Sequence, residues 1–171
     1  MLNKKIPFTI LLSVIAIAYS CKKDKTEEVP ISTLSYEIDG VPVNLSSQTD
    51  LTFNFAGAIQ TVGEETPTSI LNLNSPALDI TVRDHGTVIQ PGTYSGKTYY
   101  SSGFTKEVSF DYIHSNDTLY QSSFINPITS VTITKISRNG VFGTFSGEVL
   151  KPSSMDTLHI TNGSFAIYNY Q

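Results

Sequence analysis

From Leu34 onward, apolar and polar residues alternate in short runs separated by turn residues, the period-two signature of half-buried strands, and no helical period competes with it. Leu34, Tyr36 and Ile38 alternate with Ser35 and Glu37, and Asp39-Gly40 predicts a tight hairpin turn into a strand over 41–45. Leu51, Phe53 and Phe55 alternate over 51–58. Two further strands are expected at 69–74 and 78–83, divided by Ser75-Pro76. Gln90-Pro91-Gly92 reads as a turn leading to Thr93-Tyr94 and the Tyr99-Tyr100 region. A strand over 104–114 would place Val108, Phe110 and Tyr112 on one face.

The last third is the most regular. A strand over 131–137, a turn at Arg138-Asn139-Gly140 and a return strand over 141–150 are followed by a closing strand over 157–170. Asn162-Gly163 lies inside that last run. A β-bulge there, rather than a second hairpin turn, keeps the run as one long strand paired with 141–150. Gly143, Gly147 and Gly163 suit bends or close packing under an aromatic ring. Phe53, Phe55, Phe110, Phe145 and Phe165 are the expected core aromatics. About nine or ten strands in roughly 140 residues predict an all-β antiparallel sandwich, with a flattened barrel as the alternative.

The start of the chain is different. Lys4 and Lys5 precede an apolar run over 6–18, which ends in Ala18-Tyr19-Ser20-Cys21. The run is about a dozen residues, where a membrane-spanning helix needs roughly 20. Cys21 is the only cysteine. Its position predicts a lipoprotein signal over 1–20, cut so that the thiol of Cys21 carries a fatty acyl anchor. Residues 21–32 are charged, poor in large apolar groups and carry Pro30, as a flexible tether would, leaving 33–171 as a single all-β domain. With Cys21 acylated, the mature chain has no thiol for a disulfide, and its core alone must hold it.

Cys21-Lys22-Lys23-Asp24 resembles the mature start of lipoproteins of the Bacteroidota type. Ser20 suits their signal, whereas Ala18 and Tyr19 depart from its usual Leu and small residue. Tyr36-Glu37-Ile38-Asp39-Gly40, Gly143-Thr144-Phe145-Ser146-Gly147 and Ile160-Thr161-Asn162-Gly163-Ser164-Phe165 resemble a small, uncharacterised lipoprotein family of the same kind. That resemblance implies an outer-membrane lipoprotein with a small all-β domain and carries no catalytic residues. Charged residues just after the cysteine can act in such proteins as a signal for the outer face, and here Asp24, Glu27 and Glu28 are interleaved with lysines, so surface exposure is expected over a periplasm-facing position. Asp-Thr-Leu, present at 117–119 and 156–158, resembles their short O-glycosylation motif and makes Thr118 and Thr157 candidate acceptors; an Asp-Thr pair is also an ordinary turn-to-strand start.

Charge narrows the partners. Without Lys4 and Lys5 the mature chain has nine basic and fifteen acidic residues, near −6. The six basic residues after the tether, Arg83, Lys97, Lys106, Lys135, Arg138 and Lys151, form no stripe along which phosphates would be neutralised, so no nucleic acid is expected.

Candidate chemistry is sparse. His85, His114 and His159 lack the short spacing of zinc ligands, and Asp111, Asn116 and Asp117 do not match a calcium loop, so no metal and no cofactor are expected. Gly-x-Ser-x-Gly, phosphate loops and dinucleotide fingerprints are absent. The expected class is therefore a non-enzymatic binding or accessory domain, capturing a glycan, a peptide or a small nutrient, or supporting an envelope assembly. A polysaccharide hydrolase, which needs two convergent carboxylates, is the more distant alternative. Tyr99, Tyr100, Tyr168 and Tyr170 are the candidate ligand-contacting aromatics. Exposed aromatics lining one groove would favour binding, and an uncovered edge near 157–170 would favour assembly.

Overall fold

The computed structural model describes residues 29–59, 68–85, 88–96, 106–114, 118–122 and 128–169. Among these are eleven strands: β1 (Ser32–Ile38), β2 (Val41–Ser47), β3 (Thr52–Ile59), β4 (Thr68–Asn74), β5 (Leu78–His85), β6 (Gly92–Ser95), β7 (Lys106–His114), β8 (Thr118–Ser122), β9 (Ser130–Ser137), β10 (Gly140–Leu150) and β11 (Thr157–Tyr168). Every strand pair is antiparallel.

Local sequence explains the elements. In β1, Ser32, Leu34, Tyr36 and Ile38 are buried while Thr33, Ser35 and Glu37 face outward. Asp39 and Gly40 adopt φ of 47° and 81°, the left-handed pair that a two-residue hairpin turn requires, and Asp-Gly meets that need at little steric cost. The turn between β4 and β5 is fixed by the Ser75 hydroxyl, which donates to the Leu78 carbonyl at 2.7 Å and accepts from the Leu78 N–H at 2.9 Å.

The strands form one sheet in the order β2-β1-β11-β10-β8-β7-β5-β4-β3, with β9 paired to β10 and β6 to β9. One edge of β10 serves two partners: 140–146 pair with β9, while Val149 and Leu150 pair with β8. The sheet thus never divides into two layers. It curls through 271° into a half-barrel, which corrects the sandwich expectation.

Bulges assist the curl. Phe145 faces Gly163 and Gly147 faces Ile160, so Thr161 and Asn162 stand opposite the single residue Ser146. β1 meets the same offset between Ser35 and Glu37. Asn162 carries a φ of 53°, a conformation Asn tolerates better than most residues. An extra residue on one strand bends it and increases its twist. The bulge expected at Asn162-Gly163 is present, and β11 runs through it as one strand.

The core fills the concave side. The Phe145 ring lies 6.0 Å from Tyr36, 5.9 Å from Phe110 in an edge-on arrangement, and 6.2 Å from Phe165. Phe53 is half-buried and packs against the core, whereas Phe55 is 37% exposed, so the expectation that Phe55 fills the core is corrected. The reason is position: β3 ends the strand order, and among the described residues no further strand covers it.

Among the described residues, one buried side-chain polar atom lacks a partner. Tyr36 is 2% exposed, and its hydroxyl oxygen makes no hydrogen bond. Burial, with a smaller contribution from Tyr112, pushes its phenol up to about 12. An unsatisfied buried hydroxyl costs roughly 1–3 kcal/mol, so Tyr36→Phe is expected to stabilise the domain by about 1 kcal/mol in urea unfolding. The phenol is neutral below pH 10 in folded and unfolded chains alike. Between about 10 and 12 only the unfolded chain loses the proton, so stability falls as pH rises through that window. Tyr36→Phe should flatten this alkaline decline, and an unchanged decline would assign it to other groups.

Candidate functional site

Among the described residues, a surface groove with a volume of about 660 Å³ lies between β3 and the end of β9. One wall is Phe53, Asn54 and Phe55 of β3. The opposite wall is Ile136, Ser137 and Arg138, at the end of β9 and in the turn to β10, with Asn169 beside it. Val88, Ile89 and Gln90 form the floor.

The floor is held from below. The buried Tyr94 hydroxyl accepts from the Gln90 N–H at 2.9 Å and donates to the Gln90 carbonyl at 2.8 Å, and the Ile89 N–H donates to the Ser69 hydroxyl at 3.0 Å. Asn169 is tied to the β9–β10 turn by its N–H, which donates to the Asn139 carbonyl at 3.1 Å. Fixed walls of this kind lower the ordering cost of binding.

Apolar and polar groups share the groove. Phe55 is 37% and Val88 42% exposed. Asn54, Gln90, Ser137 and Asn169 offer hydrogen-bonding groups, and Arg138 offers a cation. Arg138 makes no ion pair or hydrogen bond with the described residues, whereas Arg83 pairs with Glu107 at 3.6 Å. No described residue lining the groove is acidic.

The expected site residues are scattered. Tyr168 is half-buried, with its ring edge-on to Phe142 at 5.3 Å. It borders a smaller cleft with Thr49, Leu51 and Thr52 that shares Phe53 and Asn169 with the main groove. Tyr99, Tyr100, Tyr170 and Cys21, the expected lipidation residue, lie outside the described residues. Thr118 and Thr157 are the first residues of β8 and β11, and both are partly exposed. β11 is paired on both sides over 160–166, with β1 and β10, so that span presents no uncovered edge.

Charged groups converge at two other places. His159 stands between two carboxylates, with Nδ1 3.2 Å from Asp39 and Nε2 3.3 Å from Glu148. The carboxylates lie on opposite sides of the ring, and among the described residues no group of three or more His, Cys, Asp or Glu is arranged to hold a metal ion. The Asp39 carboxylate also accepts the His159 backbone N–H at 2.9 Å. That bond chiefly holds its carboxyl below the usual range, and the His159 ring adds to it. The stabilisation is present above the ordinary carboxylate pKa and is lost as pH falls through the lowered one. Asp39→Asn, which keeps the left-handed turn, is expected to weaken the fold at neutral pH and to match the parent in strong acid. Equal urea midpoints at pH 7 would contradict this. Asp79 faces Asp111 across β5 and β7. Burial, opposed by the Ser75 N–H and assisted by Asp111, raises the carboxyl of Asp79.

Sequence reasoning did not single out Phe55, Val88, Gln90 or Arg138 as a site. Their positions lie in three separate stretches of chain, and only the curl of the sheet brings them together. No protein-family model matches the chain, and comparison with curated proteins and with solved structures finds no match.

Proposed function

We propose that this protein is a lipid-anchored outer-membrane lipoprotein, held through Cys21 and exposed on the cell surface, whose β domain captures a ligand without chemically changing it. The groove carries the reading. An exposed aromatic and an exposed valine sit beside hydrogen-bonding groups and an unpaired arginine on a fixed floor, in a volume typical of ligand sites. The binding class asked for exposed aromatics in one groove, and Phe55 provides one.

Assembly in the envelope is the second reading. It asked for an uncovered edge in 157–170, whereas the described strands with a single strand partner are β2, β3 and β6. β2 carries exposed Val41, which favours this reading, and also Pro42, which blunts an edge. A hydrolase would need two carboxylates across a cleft; Asp79 and Asp111, which face each other across β5 and β7, are exposed on the outer surface of the sheet.

Two experiments test the proposal. Labelling with an alkyne analogue of palmitate should mark the wild type and spare Cys21→Ser, and protease added to intact cells should remove a C-terminal tag; an unlabelled wild type would end the anchor claim. Phe55→Ser/Arg138→Ala should keep the melting temperature within about 2 °C, as surface substitutions usually do. The same double variant should lose capture on paired glycan and peptide arrays, and unchanged capture would move binding away from the groove.

A further inference from the structure

The groove follows a strand edge. Successive residues of a strand point to opposite faces, yet Phe53, Asn54 and Phe55 all border the cavity. The cavity therefore wraps around the edge of β3 instead of covering one of its faces. β4 pairs with one side of β3, and among the described residues no strand pairs with the other. The opposite wall has a similar gap. β6 pairs with β9 only over 130–133, so beyond Ile133 the side of β9 turned away from β10 has no strand partner among the described residues.

Unpaired strand edges present rows of N–H and C=O groups that another extended chain satisfies. A saccharide would use the aromatic face and leave such a row unmatched. Charge points to the same kind of partner. In an acidic domain, the groove holds an unpaired guanidinium and no described acid, an arrangement that selects a carboxylate. Resting on the reading of the groove as a ligand site, we propose that its ligand is an extended peptide segment that adds to β3 as a further strand. One of its apolar side chains lies against Phe55 and Val88, and one of its carboxylates pairs with Arg138.

The test is a selection of random dodecapeptides, displayed on phage, against the full-length protein purified in detergent, with Phe55→Ser/Arg138→Ala as the counter-target. Clones retained by the wild type alone, each with an acidic group near an apolar residue, are the expected result. A synthetic peptide from this set should bind Arg138→Ala about tenfold or more weakly. Methylating its backbone nitrogens one at a time should weaken binding about tenfold at alternate residues and little between them, since only every second N–H of an added strand faces β3.

Insensitivity to N-methylation overturns strand addition. If only oligosaccharides discriminate wild type from the double variant, the peptide claim fails and the groove reading stands. If neither class does, both fail. A dimer that sediments at micromolar concentration and is lost in the double variant would make a second copy of this chain the occupant, and would also overturn the proposal.

Discussion

Gly143→Ala is expected to destabilise the domain by about 3 kcal/mol, near the upper end for forcing a methyl group into a filled interior. A Cβ at this position would collide with the carbonyl oxygen of Thr132 and stand 2.5 Å from Cζ of the Phe165 ring. The oxygen belongs to β9, the immediate neighbour of β10, and cannot retreat without disturbing that pairing. The ring is 4% exposed and packs against Phe145, so its freedom to move is small as well. For a domain of this size the loss corresponds to about 10 °C in melting temperature. Thermal unfolding followed by circular dichroism measures it, and a shift under about 2 °C would show that β9 and β10 do not approach as described.

Phe145→Ala should cost about 3–5 kcal/mol, the range for deleting a large buried ring. Phe145 is 4% exposed and contacts the Tyr36, Phe110 and Phe165 rings, which come from β1, β7 and β11. Its loss removes shared packing from elements on both sides of β10, and the surrounding sheet is too constrained to fill the space. Phe55→Ser is the internal contrast, since Phe55 stands at the groove and its loss should move the urea midpoint little. If the two variants were equally stable, the centre of the core would lie elsewhere.

These contrasting phenylalanines show what the sequence could reveal. Alternation correctly placed Phe110, Phe145 and Phe165 inward because their strands have neighbours on both sides. The same alternation put Phe53 and Phe55 on one face of β3 but carried no information that β3 ends the sheet. The bulge was legible because Asn162-Gly163, a pair suited to left-handed backbone, interrupts a run too long to break there. β8 was not: Leu119 points outward at 42% exposure while Tyr120 and Ser122 are buried, which reverses the usual hydrophobic pattern over five residues. With β8 unrecognised, nothing indicated that β10 divides its edge between two partners, and a half-barrel looked like a sandwich. The groove was hidden for a related reason, since Phe55, Gln90 and Arg138 are neighbours only once the sheet has curled.

Hydrogen–deuterium exchange of the full-length protein, with and without the strongest ligand from the arrays, tests the groove most directly. Protection should appear over 52–56 and 136–138, and Phe55→Ser/Arg138→Ala should abolish it. Protection over Val41–Ser47 instead, or over neither wall of the groove, would contradict the assignment of the groove as the binding site.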